Sequence, residues 1–273
     1  MTYLVTGATG RVGRHVVSEL LARGVPVRAL TREPARAVGL PPEVEVVAGD
    51  LTDPATLPAA LDGVVGVHLL TTGGDDYATL RTGPEIVELA EKAGVRRIAV
   101  LWNGKPGPVE DAVRAGGAEW TMLQAVDFMS NTLGWAESIR AAGEVREPFG
   151  DVRAAVVDEA DVGAVAAEVL TGEGHAGQVY TLTGPEALTP RQRLATIAAA
   201  IGRELRFVEL TEQQARDRWR QAGYDDELVD LLASWQGNPP PTAYTVTGTV
   251  ERLLGRPPHT FATWAHTQAA AFR

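Results

Sequence analysis

Residues 3–13, Tyr-Leu-Val-Thr-Gly-Ala-Thr-Gly-Arg-Val-Gly, constrain the fold of this chain more than any other stretch. A short β-branched and apolar strand runs into Gly7, Gly10 and Gly13, and an amphipathic helix carrying Val12, Val16, Val17, Leu20 and Leu21 follows at once. The first N–H groups of a helix have no partner within it, so a helix entered this way presents free amides to an anion. Gly7 is expected to permit the tight turn. Gly10 lets the backbone approach a pyrophosphate, and Gly13 lets the helix pack close to the strand. The spacing G-x-x-G-x-x-G is a cousin of the dinucleotide fingerprint G-x-G-x-x-G. Thr9, Arg11 and Val12 complete the loop residues expected around the phosphates.

The alternation that follows is that of a doubly wound α/β protein. Strands are expected over 25–30, 44–48, 66–70, 97–101 and 119–123, with helices over 54–62, 79–93 and 107–116. Strands and helices in this order read as successive βαβ units and a parallel sheet covered on both faces. The second half reads as a helix over 127–140, an irregular stretch to 150, and a strand over 153–157. A helix over 162–170 and a strand over 178–182 come next, then mostly helix to the end. The expected division is a Rossmann-type core over 1–150 and a smaller, mostly helical segment over 151–273 that covers the substrate. The strands at 153–157 and 178–182 are possible additions to the core sheet.

In a sheet of this kind the residues at the carboxyl ends of the strands meet the nucleotide. The second strand ends in Thr31-Arg32, where an NAD-binding chain would place an acid; a cation there suits a 2′-phosphate. Arg32, aided by Arg11, therefore points to NADP(H) in preference to NAD(H), although Glu33 could serve a ribose hydroxyl. Asp50 and Leu51 after the third strand are candidates for the adenine, with an Asx-type turn the alternative for Asp50. Thr71 and Thr72 after the fourth strand are candidates for the ribose and pyrophosphate.

Composition narrows the partners. The chain holds 25 Lys and Arg against 35 Asp and Glu, a net charge of −10, which speaks against a nucleic-acid partner. With no cysteine, thiolate metal sites, cysteine nucleophiles and disulfides are excluded. No His/Asp/Glu cluster has metal-ligand spacing. No signal peptide is expected before the first strand and no apolar run is long enough to span a bilayer. A cytoplasmic monomer or homodimer with a small-molecule substrate is the expectation.

The loop at 6–13 resembles the opening of the atypical short-chain dehydrogenases/reductases, and the rest resembles their NmrA-like branch. Ala48-Gly49-Asp50-Leu51-Thr52-Asp53-Pro54, Ala93-Gly94-Val95-Arg96-Arg97-Ile98 and Val109-Glu110-Asp111 carry that likeness. So do Trp120-Thr121-Met122-Leu123-Gln124, Phe128-Met129-Ser130-Asn131, Asp161-Val162-Gly163 and Tyr180-Thr181-Leu182-Thr183-Gly184-Pro185-Glu186. The likeness runs over roughly residues 2–210. It implies a nicotinamide-binding fold, with NADPH-dependent reduction of a quinone, ketone or alkene as one outcome and a redox-sensing regulator without turnover as the other. Two departures touch the substrate side: Gln124-Ala125 stands where the family has Arg-Pro, and the loop 102–108 is short.

The Tyr-x-x-x-Lys pair of the wider superfamily is missing, since none of the five tyrosines has lysine four residues on. Of the two lysines, Lys105 follows the fifth strand, where the nicotinamide end is expected, and NmrA-like proteins often carry a lysine there. Lys105 is therefore the candidate for the nicotinamide ribose and for stabilising an alkoxide, and Asn103 the candidate donor to a carbonyl. Trp135, Trp219, Trp235, Trp264, Phe128 and Phe261 are candidates to wall a pocket for a flat aromatic substrate, one or two in the pocket and the rest in helix packing. The reading is an NADPH-dependent reductase of a carbonyl or quinone; a non-catalytic NADP(H) sensor that binds a protein is the alternative.

Overall fold

The computed structural model describes residues 1–74, 78–102 and 106–273. In chain order, β1 (Thr2–Thr6) leads into α1 (Gly13–Ala22), β2 (Val27–Thr31), β3 (Glu45–Ala48) and the short α2 (Pro58–Leu61). β4 (Val64–Leu70) precedes a small hairpin of β5 (Thr72–Gly73) and β6 (Ala78–Thr79), then α3 (Gly83–Lys92) and β7 (Arg97–Trp102). α4 (Pro108–Ala115), β8 (Glu119–Ala125), α5 (Ala136–Ala142), β9 (Glu144–Pro148), α6 (Glu159–Thr171) and β10 (Gln178–Leu182) follow. The remainder is α7 (Pro190–Ile201), β11 (Arg206–Leu210), α8 (Glu212–Gln221), α9 (Asp226–Gly237), α10 (Thr249–Leu254), α11 (Phe261–Thr267) and α12 (Ala269–Phe272). No helix among the described residues is long and apolar enough to cross a membrane.

The chain forms two compact units that interleave along the sequence: residues 1–125, 159–182 and 252–255 in the first, and 126–158, 183–251 and 256–273 in the second. Residues 126–150, expected in the core segment, thus belong to the second unit, and 159–182, expected in the covering segment, to the first.

The first unit is a seven-stranded sheet in the order β10-β8-β7-β4-β1-β2-β3, every pair parallel. β1, β4, β7 and β8 are central and buried on both faces, which is why they read as nearly continuous apolar runs. One core joins Leu4, Val67, Leu69, Ile98, Val100 and Met122 of the strands to Ile86, Val87, Val109 and Val113 of α3 and α4. Elsewhere α1 and α6 cross closely, since a Cβ at Gly163 would lie 2.5 Å from the His15 Cβ. The Asp161-Val162-Gly163 motif is therefore a helix-packing signature, with Asp161 fully buried. Chain order runs outward from β1 to β2 and β3 and resumes on the other side of β1 with β4. The switch point, where such folds bind ligands, lies between the carboxyl ends of β1 and β4.

The second unit holds a parallel pair, β9 and β11, with Val145 opposite Phe207. Its main core gathers Met129, Ile139, Val145, Leu194, Ile197, Phe261, Trp264 and Phe272. A smaller core of Ala215, Trp219, Val229 and Ala233 joins α8 to α9. Full capping boxes, Thr189 with Gln192 and Thr211 with Gln214, start α7 and α8.

Three sequence expectations need correction here. The stretch 153–157 is no strand, because its amides go singly to three partners: Ala154 to Leu188, Ala155 to Ala243 and Val157 to Asp127. The helix expected over 127–140 opens as a 3₁₀ segment, Met129–Trp135, before α5. β9 and β11 went unanticipated because Glu144, Arg146 and Glu147 give β9 a loop-like composition; Arg206 and Arg218 supply the ion pairs that hold Glu144 and Glu147.

Candidate active site

The β1–α1 turn has the geometry its glycines foretell. Gly7 sits at φ +61°, in the left-handed region open to glycine. A Cβ at Gly13 would lie 2.0 Å from the Gly7 carbonyl oxygen, so the first turn of α1 presses directly on the loop. The Gly10 amide donates to that same oxygen at 2.9 Å. No side chain caps α1 at Val12, and Thr9, Gly10 and Arg11 are exposed. An open helix N-terminus beside an exposed, side-chain-poor turn fits the linked phosphates of a dinucleotide. Behind it, the Thr6 hydroxyl accepts from the Leu70 amide at 3.0 Å and ties β1 to β4 at the switch point.

The other strand-end candidates separate. Arg32 directly follows β2 and is exposed, as is Glu33 beside it. Asp50 commits one carboxylate oxygen to its own turn, accepting from the amide and the hydroxyl of Thr52, each at 2.8 Å. Leu51 packs on the core of the first unit, and its carbonyl accepts from the Thr82 hydroxyl at 2.6 Å. Thr71 is buried and accepts from the Leu80 amide at 3.0 Å, while Thr72 pairs with Thr79 in the β5–β6 hairpin. Lys105 and Asn103 lie outside the described residues. Gln124, at the position of the family's arginine, accepts from the Thr181 hydroxyl at 3.3 Å and so joins β8 to β10.

Among the described residues, two buried titratable groups of the first unit have an atom without a hydrogen-bond partner: Nε2 of His68 and Oε2 of Glu110. Burial lowers the His68 pKa to about 4, against a smaller opposing effect of its contact with the Thr6 carbonyl. The ring is a neutral core element. Burial likewise raises the Glu110 carboxyl.

A cavity of about 440 Å³ lies within the second unit. Trp135, Trp235 and Phe149 supply aromatic surface, and Asp127, Glu147, Arg153 and Arg193 the charges. Of the six aromatic candidates named from sequence, Trp135 and Trp235 line it; Trp219, Trp264 and Phe261 are buried in the cores. Phe149 has φ +55° and is the sole non-glycine residue with positive φ among those described, a strained position of the kind found at ligand sites. Asp127 accepts from the Phe128 amide at 2.9 Å and from Asn131 at 2.7 Å. Burial raises its carboxyl pKa, opposed by the charge of Arg193. His259 pairs with Asp158 at 3.0 Å and is not a lining residue. Asp127, Glu147, Phe149, Arg153 and Arg193 were not anticipated. They come from separated elements, and only a polar residue such as Asp127, two residues beyond the end of β8, offered a signal.

A family model described as NAD(P)H-binding matches residues 7–104. The chain is 40% identical to a (4-alkanoyl-5-oxo-2,5-dihydrofuran-3-yl)methyl phosphate reductase of Streptomyces griseus and 36% identical to an NAD(P)H azoreductase of Xenophilus azovorans, covering 98% of each chain in both cases. The NADPH complex of the quinone oxidoreductase QOR2 from Escherichia coli superposes with a TM-score of 0.83 at 27% identity, over 97% of this chain and 99% of that one. The reductase expectation, rather than the sensor alternative, is the one these relatives support. An NAD(P)H-binding first unit with a Rossmann-type sheet, and full-length likeness to reductases, make this chain an NAD(P)H-dependent oxidoreductase of the NmrA-like group of atypical short-chain dehydrogenases/reductases.

Proposed function

We propose that the protein uses NADPH in preference to NADH to reduce a carbonyl or quinone group of a small, aromatic molecule, and that the cavity of the second unit receives that molecule. The observation that carries the substrate class is the aromatic lining supplied by Trp135, Trp235 and Phe149. A volume of about 440 Å³ is in the range of small-molecule sites. Val126 and Asp127, both lining residues, follow the last residue of β8 directly in the chain. The names of the relatives, a quinone oxidoreductase, an azoreductase and a reductase of a furanone phosphate, favour a flat, conjugated acceptor.

The β1–α1 turn holds the pyrophosphate through main-chain amides, and Arg32 with Arg11 takes the 2′-phosphate by charged hydrogen bonds. The nicotinamide supplies the hydride when bound. Lys105 holds the nicotinamide ribose and offsets negative charge developing on the acceptor oxygen, and Asn103 donates to that oxygen. Without a Tyr-x-x-x-Lys pair, the proton comes from water or from the substrate's own hydroxyl. The enzyme acts in the cytoplasm, as a monomer or homodimer.

Purified protein is incubated with NADPH and a panel of naphthoquinones, azo dyes and aryl ketones, and NADPH absorbance is followed. Turnover of at least one class is expected; no oxidation above background across the panel would overturn the reading. The coenzyme preference has its own check. Arg32→Asp should shift the balance from NADPH towards NADH by about 2 kcal/mol, the scale of one hydrogen bond to a charged group, and an unchanged ratio of dissociation constants would remove Arg32 from the site.

A further inference from the structure

The polar half of the cavity is unbalanced in a way that the reductase reading does not use. Arg193 projects from the first turn of α7 into the lining. Among the described residues its guanidinium makes one hydrogen bond, Nη1 to the Thr132 hydroxyl, at 3.4 Å. Its Nε is enclosed and has no hydrogen-bond partner among the described residues. The group also lies over the Trp135 ring, 5.3 Å from the centroid. A guanidinium carries five N–H donors, so most of its capacity is unspent.

Neither acid in the cavity makes up the difference. Asp127 is engaged by the Phe128 amide and Asn131. Glu147 is engaged by the Trp135 indole at 3.2 Å and by Arg218 at 2.6 Å. Among the described residues no ion pair joins Arg193 to either; they act on it by charge at a distance, raising a pKa that burial lowers. Arg153, exposed in the same lining, adds a second guanidinium, and none of the described hydrogen bonds or ion pairs engages it. A cation left this short of acceptors in an aromatic cavity is a costly arrangement unless a ligand completes it.

We propose that Arg193, with Arg153, makes this cavity a receptor for an oxyanion, so that its ligands are flat apolar molecules bearing a carboxylate or a phosphate ester. This deepens the substrate reading above and rests on it. The planar fork of arginine matches both oxyanions, and stacking on Trp135 fixes its plane. In a chain of net charge −10, such a site would recognise an anion against the field of the whole molecule.

The probes are 1-naphthyl phosphate, 1-naphthoate and neutral 1-naphthalenemethanol, titrated without coenzyme against tryptophan fluorescence. Both anions should bind about tenfold or more tightly than the alcohol, the yield of a charged hydrogen bond; the phosphate-to-carboxylate ratio identifies the preferred anion. Arg193→Gln should erase the preference, and Arg153→Gln should reduce it. If Arg193→Gln fails to fold by circular dichroism, Arg193→Lys replaces it, and there the preference should shrink because the fork is lost while the charge stays. Equal binding of charged and neutral probes by the unmodified chain, or a preference untouched in both the Arg193 and Arg153 variants, would overturn the proposal. Turnover of a neutral naphthoquinone, run in parallel, separates the two readings. Turnover without anion preference removes the oxyanion receptor alone; anion preference without turnover removes the reductase assignment of the cavity and keeps the receptor.

Discussion

In the first unit the phosphate-binding turn of the candidate site is made of main chain, while in the second the candidate site is made of side chains. Gly7, Gly10 and Gly13 contribute by what they lack, leaving amides of a tight turn and the start of α1 open to phosphate. The cavity of the second unit instead gathers Trp135, Phe149, Arg193 and Trp235 from four separate segments, and its chemistry resides in their rings and charges. A main-chain site suits a ligand that does not vary, since a backbone cannot be exchanged by single substitutions. A side-chain site can be rebuilt one residue at a time. The contrast matches a fixed coenzyme and a variable acceptor.

The sharpest way to break the comparison is to add one side chain to the main-chain site. Gly13→Val would place atoms about where the Gly7 carbonyl already stands, with the Cβ at 2.0 Å from its oxygen. Backbone would have to move, and overpacking of this kind costs about 3 kcal/mol or more. Urea unfolding and a coenzyme titration should show a large loss in both; a variant with unaltered stability would mean the turn is more adaptable than its geometry implies.

Next in size is an acid-side loss confined to the first unit. His68 stays neutral in the folded chain down to about pH 4, whereas its ordinary pKa is 6.5. The folded pKa is the lower one, so the unfolded chain takes up the proton first. Stability is therefore fully present above pH 6.5 and falls between there and pH 4, by about 3 kcal/mol. Urea midpoints measured across that window should fall more steeply for the native chain than for His68→Gln. Equal slopes would show that the ring is not the group responsible.

The smallest effect sharpens the contrast from the other side. Trp235 is 43% exposed although it lines the cavity. Trp235→Ala should leave the melting temperature nearly unchanged and weaken an aromatic substrate by about 1 kcal/mol, read as a higher KM for the quinone. A drop in melting temperature with KM unaltered would make Trp235 a packing residue.

Much of the first unit was legible in the residues themselves. Each central strand is an apolar run closed by a turn signal, and the glycine spacing requires a strand–turn–helix whatever surrounds it. The strand at 178–182 was readable as a strand but only as a possible addition to the sheet, since Gln178-Val179-Tyr180-Thr181-Leu182 is an edge strand without a continuous apolar run. Less of the cofactor set could be assigned from the chain alone. Asp50 turns its carboxylate to Thr52 and Leu51 packs into the core, choices set by neighbours that a strand-end rule does not see.

The second unit was harder to read because its order comes from pairing across distance. β9 looks like a charged loop until Arg206 and Arg218 are brought beside Glu144 and Glu147. The stretch 153–157 looks like a strand until its amides are seen divided among three partners. Phe149 gave no warning of its positive φ, since nothing in a phenylalanine asks for one. Local chemistry alone therefore determined the parallel sheet, its glycine turn and the anionic coenzyme they suit, because steric freedom and period are properties of contiguous residues. Which aromatic rings and which guanidinium meet in one cavity was decided by tertiary packing, because burial and unspent hydrogen bonds exist only once remote segments have closed around them.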